Sequence, residues 1–328
     1  MKVGVIGLGN LGTATAQLAA VNGCDVLGWE YDRAVVDEVN SVHRNQRYLA
    51  GTVLSKRFRA TANVADVFQF AELVFIALPS RFLLSVLTDV AGGIDQSIAI
   101  VNMAKGIDAS TGKTAFATVA ALFPHNPVAM LAGPSLANEF NAGVLTGVVA
   151  ASVELGLSEK ISSVLSNSRF VVTRSDDPLG VELGAILKNI YALGMGLFHS
   201  GKDFGLNFVG AYLTQALSEI MALATAMGAQ RETLLQLSGI GDLIATAMSE
   251  HSHNRAMGEL VGQGLGIAAI EQQLGVLPEG YNTLAVALRL AQQYGVDLPL
   301  AQLLSCAIRD ELPIAEVYDR FAVVLKGN

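Results

Sequence analysis

The sequence predicts an α/β domain on a doubly wound parallel sheet, residues 1–176, followed by an all-α domain, residues 177–328. Three observations predict it. The chain opens on a β-branched stretch, Lys2–Ile6, that runs directly into Gly7-Leu8-Gly9-Asn10-Leu11-Gly12 and then into a helix-forming segment. Apolar runs of strand length recur through the first half, as in sheets covered on both faces. After Asp176-Asp177-Pro178 the strand pattern stops and helical spacing continues to the end.

Taken in order, Lys2–Ile6 is the first strand, Thr13–Asn22 a helix, and Cys24–Trp29 a second strand ending in Glu30-Tyr31-Asp32. This sets GxGxxG between a strand and a helix, the context in which the motif binds a dinucleotide. Gly7 permits the tight turn, Gly9 lets the backbone approach a pyrophosphate, and Gly12 lets helix and strand pack closely. Asn10 and Leu11 open the helix, whose free N–H groups and positive end face the phosphates. A Rossmann-type fold is therefore expected. Glu30, at roughly the expected 20-residue spacing, is a candidate acceptor for the adenosine ribose. With Asp32 it would repel a 2′-phosphate, whereas Arg33 would attract one. The cofactor is expected to be NAD or NADP, with NADH preferred.

Leu73–Leu78 is a near-continuous apolar strand ending in Pro79-Ser80. Ser97–Asn102 is another, leading to Lys105, and Val128–Ala132 leads to Gly133-Pro134-Ser135. Thr146–Ala151 and Arg169–Thr173 complete the strands. Ligands in such sheets bind at the carboxyl ends of strands, where Asn10, Pro79, Lys105 and Gly133 all fall. The second half reads as helices over Leu179–Leu197, Phe208–Met227, Arg231–Leu237, Asn254–Gly262, Ile267–Leu274, Tyr281–Tyr294 and Pro299–Ile308, punctuated by Gly and Pro.

Composition narrows the function classes. The 328 residues are 52% hydrophobic and 15% charged, enough apolar material for large cores. A net charge of -8 argues against a nucleic-acid or membrane binder, so neither partner is expected. Cys24 and Cys306 are the only cysteines, which suggests a reducing compartment without a disulfide frame. His251 and His253 lack a third ligand, so no metal site is expected. The uncharged run Val3–Cys24 is long enough to suggest a membrane span, but its glycines belong to the phosphate turn. The run Thr114–Asn138 is broken by prolines. No span, a cytoplasmic location and a homodimer are the expectations.

The strongest chemical signal is Val181–Gly196, VELGAILKNIYALGMG, which sets Lys188 and Asn189 inside an apolar helical run. A buried ammonium is costly unless paired. Lys105 and an aspartate in a glycine turn, Gly239-Ile240-Gly241-Asp242-Leu243, are its candidate companions. Together they could station a proton donor near neutral pH. The plainer reading is a lysine stem that snorkels to the surface.

These motifs together resemble the NAD(P)-dependent sn-glycerol-3-phosphate dehydrogenases of the soluble bacterial type. The matching pieces are GLGNLGTATA (7–16), ALPS (77–80), MAKGID (103–108), GPSLANEF (133–140), VELGAILKNIYALGMG (181–196), GIGDLIATAMSEHSHNRAMG (239–258) and PEGYNT (278–283). The resemblance implies reversible reduction of dihydroxyacetone phosphate to sn-glycerol 3-phosphate. It implies Lys188 as acid/base, with Lys105, Asn189, Asp242 and Thr246 at the reacting centre. Gly133, Ser135, Ser252 and Asn254 match substrate positions, and Ala137 and Glu279 match cofactor positions, which with Tyr31, Pro79, Lys105 and Arg255 complete the candidate cofactor set.

Two departures stand out. Where the family has an SRN triplet, this chain has Ser252-His253-Asn254. His253 is either a phosphate contact or a solvated loop residue, and Arg255 compensates only if it turns inward. Gln215 stands where an arginine is common. The alternatives are a dehydrogenase of a non-phosphorylated hydroxy acid, as in β-hydroxyacid dehydrogenases and ketopantoate reductases, and a nucleotide-sensing protein without chemistry.

Overall fold

A computed structural model describes residues 1–108, 110–199, 204–309 and 311–327. The chain divides into two compact units, Met1–Glu182 and Leu183–Asn328.

The first unit holds an eight-stranded sheet: β1 (Lys2–Ile6), β2 (Asp25–Trp29), β3 (Phe58–Thr61), β4 (Leu73–Ile76), β5 (Ala99–Asn102), β6 (Val128–Ala132), β7 (Thr146–Ala151) and β8 (Phe170–Ser175). The spatial order is β3-β2-β1-β4-β5-β6-β7-β8. Neighbours are parallel except β6 and β7, which run antiparallel. The intervening segment carries only the five-residue α6 (Ala137–Asn141), and β7 returns beside its predecessor. Longer crossovers carry α1 (Asn10–Val21), α2 (Arg33–Val42), α3 (Val64–Phe70), α4 (Leu83–Ala91), α5 (Ala115–Leu122) and α7 (Leu155–Leu165).

β4 and β5 are buried at every position and β1 at all but Lys2, because helices cover both faces. Alternate residues feed two cores. Val3, Val5, Phe75 and Val101 point into one, and Val74, Ile76 and Ile100 into the other. The carboxyl ends of β1, β4, β5 and β6 are thereby held rigidly side by side.

The second unit is helical. α8 (Pro178–His199) starts in the first unit and continues into the second. It is followed by α9 (Leu206–Ala226), α10 (Arg231–Leu234), α11 (Asp242–Met248), α12 (His253–Gly262), α13 (Ile267–Leu274), α14 (Glu279–Tyr294), α15 (Pro299–Ile308) and α16 (Val317–Leu325). Among the described residues α8 is the one helix long and apolar enough to cross a membrane, and its apolar window is entirely buried in the protein. Close contacts explain its glycines. A Cβ on Gly196 would run into the carbonyl of Arg255, and one on Gly258 into that of Leu193. Backbone therefore meets backbone where α8 crosses α12. Glu219, 3% exposed on α9, caps α15 by accepting the amides of Leu300 (2.6 Å) and Ala301 (3.0 Å). Gln215 donates to the same carboxylate at 3.0 Å, which gives that position a structural task. Burial pushes the Glu219 carboxyl upward, against these donors.

Candidate active site

The glycine turn is built as its spacing requires. Gly7 has φ +95 and its amide donates to the carbonyl of Trp29 at 3.0 Å. A Cβ on Gly12 would strike the Gly7 carbonyl, whereas one on Gly9 would meet nothing within 4 Å. Space is therefore left open directly above Gly9. No side chain caps α1, so the amides of Asn10, Leu11 and Gly12 are available to an anion. This turn fits the pyrophosphate of a dinucleotide.

The peptide of Leu8 is clamped from both sides. Its amide donates to Glu30 Oε2 at 3.1 Å. Its carbonyl accepts from Thr13 Oγ1 at 2.7 Å and from Asn45 Nδ2 at 3.0 Å. Sequence reasoning missed Asn45, because nothing in a loop 37 residues away marks it as the floor of the turn. Glu30 is 4% exposed, and its other oxygen accepts the amides of Tyr31 (3.0 Å) and Asp32 (3.3 Å). A side chain expected to reach for a ribose is instead engaged by three backbone amides. Asp32 caps α2 through the amide of Ala34 and pairs with Arg47 at 3.1 Å. Tyr31 is 69% exposed at the strand end.

Lys105 follows β5 in a loop shaped by Asn102, which is fully buried and bonds both backbone groups of Ala104 (2.9 and 3.2 Å). Lys105 and Ser135 line one small cavity together with Leu11 and Thr15 of α1. Ser135 Oγ donates to the carbonyl of Gly133 at 3.1 Å, and Gly133 has φ +140 with Val148 close behind it. Pro79 lies three residues past the end of β4, and Ala137 opens α6. A groove at the opposite ends of the strands, lined by Lys2, Phe70, Glu72 and Asp95, holds none of these residues.

In the second unit Lys188 is 5% exposed and Asp242 2%. Lys188 Nζ pairs with Asp242 Oδ1 and donates to Thr246 Oγ1 at 2.6 Å. Asp242 was expected in a glycine turn. It is in fact the first residue of α11, directly after a π-helical segment, Leu237–Gly241. Two glycines explain the placement. A Cβ on Gly184 of α8 would lie 2.6 Å from the Ser238 carbonyl and 3.1 Å from Gly239 Cα. The π segment thus lies against α8 one turn before Lys188. An ion pair this deep is tolerated because each charge answers the other.

Beside Lys188, Asn189 accepts from Asn254 Nδ2 at 3.1 Å and donates to Glu279 Oε2 at 3.3 Å. Asn254 Oδ1 accepts the amide of Gly280 at 2.8 Å. Ser252 caps α12 by accepting the amide of Arg255, and His253 is the exposed first residue of that helix. Arg255 donates to Glu259 (3.0 Å) and to the carbonyl of Met248 (2.9 Å), so it braces its own loop. Lys188, Asp242 and Thr246 form one cluster, and Asn189, Asn254 and Glu279 a second beside it. Lys105 and Ser135 belong with the glycine turn in the first unit. No group of three or more His, Cys, Asp or Glu with metal-binding geometry occurs among the described residues.

Residues 2–157 match the family described as NAD-dependent glycerol-3-phosphate dehydrogenase N-terminus, and residues 177–319 match its C-terminus. A glycerol-3-phosphate dehydrogenase (NAD(P)+) of Staphylococcus carnosus is 36% identical over 318 residues, 96% of each chain. That of Enterococcus faecalis is 36% identical over 92% of this chain and 89% of its own. The crystal structure of glycerol-3-phosphate dehydrogenase from Coxiella burnetii, 29% identical, superposes with a TM-score of 0.89 over 98% of both chains. The chain belongs to the NAD-dependent glycerol-3-phosphate dehydrogenase family.

Proposed function

We propose that this protein reversibly reduces dihydroxyacetone phosphate to sn-glycerol 3-phosphate with NADH or NADPH. The buried Lys188–Asp242–Thr246 cluster carries the proposal, within a chain whose residues 2–157 and 177–319 match the dehydrogenase family. The first unit binds the dinucleotide, and the second carries the proton chemistry. A bound nicotinamide supplies the hydride.

Lys188, as the ammonium, hands a proton from Nζ to the oxygen that becomes the secondary alcohol, and takes it back in the oxidation. Asp242 and Thr246 hold Nζ in one direction, so the proton is aimed before the barrier is climbed. Lys105 adds positive charge where oxyanion character grows, which favours the transition state over the ground state. Gly133, Ser135 and Ser252 are proposed substrate contacts, and His253 at the start of α12 is proposed to meet the phosphate. A cytoplasmic location is supported by two cysteines with no disulfide between them, both free thiols. A homodimer is proposed as the commonest closed assembly, and light scattering tests it.

The test is an absorbance assay with each cofactor. Dihydroxyacetone phosphate should drive steady NAD(P)H oxidation, and Lys188→Ala should cut kcat by the roughly 10²–10⁴-fold that a general acid contributes. Turnover of a non-phosphorylated keto acid, with none of dihydroxyacetone phosphate, would overturn the reading.

A further inference from the structure

We propose that Glu182 is a positioning residue for Lys105. This rests on Lys105 acting in the reaction, as set out above. Glu182 lies on α8, six residues before Lys188, and is 0% exposed. Its Oε1 accepts the amide of Phe116 at 2.7 Å, while Oε2 is buried without a hydrogen-bond partner. Thr114 is the N-cap of α5 and Phe116 lies in its first turn. A carboxyl this deep is costly to charge, and the helix N-terminus meets one of its oxygens only, so burial raises its pKa to about 7. The contact spans 66 residues of sequence.

The start of α5 in turn holds the loop that bears Lys105. The amide of Ala115 donates to the carbonyl of Gly106 at 3.0 Å, and Ile107 bridges to Thr114. The amide of Asp108 donates to the carbonyl of Lys113 at 2.8 Å. Gly106, next to Lys105, has φ +143, and a Cβ there would meet Ser80 Oγ at 2.5 Å. The loop is therefore closed on itself. One end is fixed by Asn102 and the other by Glu182, with no slack at Gly106 to absorb a shift. Movement of the first turn of α5 passes to the backbone beside Lys105.

The kinetic signature follows from that chain of contacts. The hydrogen bond of Glu182 goes to the start of α5 and not to Lys105 or Lys188, so the effect proposed for it runs through the loop of Lys105. In a double-mutant cycle, Glu182→Ala should lower kcat/KM for dihydroxyacetone phosphate at least tenfold, as should Lys105→Ala. The double variant should be no worse than Lys105→Ala alone, within about twofold, because interacting sites are not additive. Glu182→Gln keeps an oxygen acceptor for Phe116 and should recover at least half of the lost activity. If Glu182→Ala does not fold, Glu182→Asp takes its place in the cycle, since it retains the charge but not the reach. Additive losses, or undiminished kcat/KM in Glu182→Ala (or in Glu182→Asp where it stands in), would overturn the inference while leaving Lys105 in its role. A fully active Lys105→Ala would overturn the role of Lys105 and the inference with it.

Discussion

Asn254 donates its side-chain amide to Asn189 Oδ1 at 3.1 Å, which ties the start of α12 to the residue after Lys188. Both groups are oriented by what lies beyond them, Gly280 on one side and Glu279 on the other. Asn254→Ala removes the acceptor of a partly buried amide and should destabilise the second unit by about 1–3 kcal/mol. It should also lower kcat/KM for dihydroxyacetone phosphate at least tenfold. Asn254→Asp keeps the acceptor for Gly280 but offers Asn189 no donor. Its denaturant midpoint should return towards wild type while its activity does not.

Gly9→Val should abolish cofactor binding and leave the fold intact. The backbone at Gly9 is extended, with φ -67, and a Cβ there meets no protein atom, so the added side chain fills only the space above the turn. Fluorescence titration of NADH against a variant with normal circular dichroism measures this. Unchanged affinity would place the pyrophosphate elsewhere.

Glu30→Gln should weaken NADH and NADPH together. One of its oxygens becomes an amino group facing backbone N–H groups, which loosens the clamp on Leu8 rather than altering any contact to the ribose. The ratio of catalytic efficiencies for the two cofactors should stay within about threefold of wild type. A tenfold swing towards NADPH would show that this carboxylate reads the ribose after all.

Stability should fall as pH rises through neutrality, and Glu182 is one cause. Burial raises its carboxyl from 4.5 to about 7, opposed by donors on Thr114, Phe116 and Ala115. The folded chain therefore holds a proton that the unfolded chain has released. The group's contribution is full below pH 4.5 and is lost as pH climbs through 7. The gap is worth roughly 3 kcal/mol. Urea unfolding at pH 5 and pH 8 should show a smaller difference for Glu182→Gln than for wild type. Equal differences would mean the carboxyl titrates elsewhere.

Much of the fold is legible in the sequence because burial on both faces writes itself as apolar runs. β1, β4, β5 and β6 announce themselves in this way. β3 does not. It is four residues at the sheet edge, Phe58–Thr61, with exposed Arg59 alternating with buried neighbours, and so short a stretch carries no period. The antiparallel turn between β6 and β7 is equally silent, since direction leaves no mark on composition. In the site, Lys188 stands out as a charge in an apolar helix. Its partner Asp242 is visible as a residue but not as the head of a helix, because the π segment before it depends on Gly184, far earlier in the chain. Glu182 and Asn45 are hidden for the same reason. Their work is done on backbone groups far away in sequence, and no local pattern records it.

Where α8 crosses α12, at Gly196 and Gly258, the two helices are separated by nothing but hydrogen atoms. The spacing of that crossing is thus set by two absent methyl groups. An alanine at either place would act as a wedge, tilting the end of α12 that bears Ser252, His253 and Asn254 away from the helix that bears Lys188. Every charged and polar side chain would survive the change, yet Asn254 and Asn189 would no longer meet at the same distance. Two positions with no chemistry of their own therefore act as the gauge for that cluster.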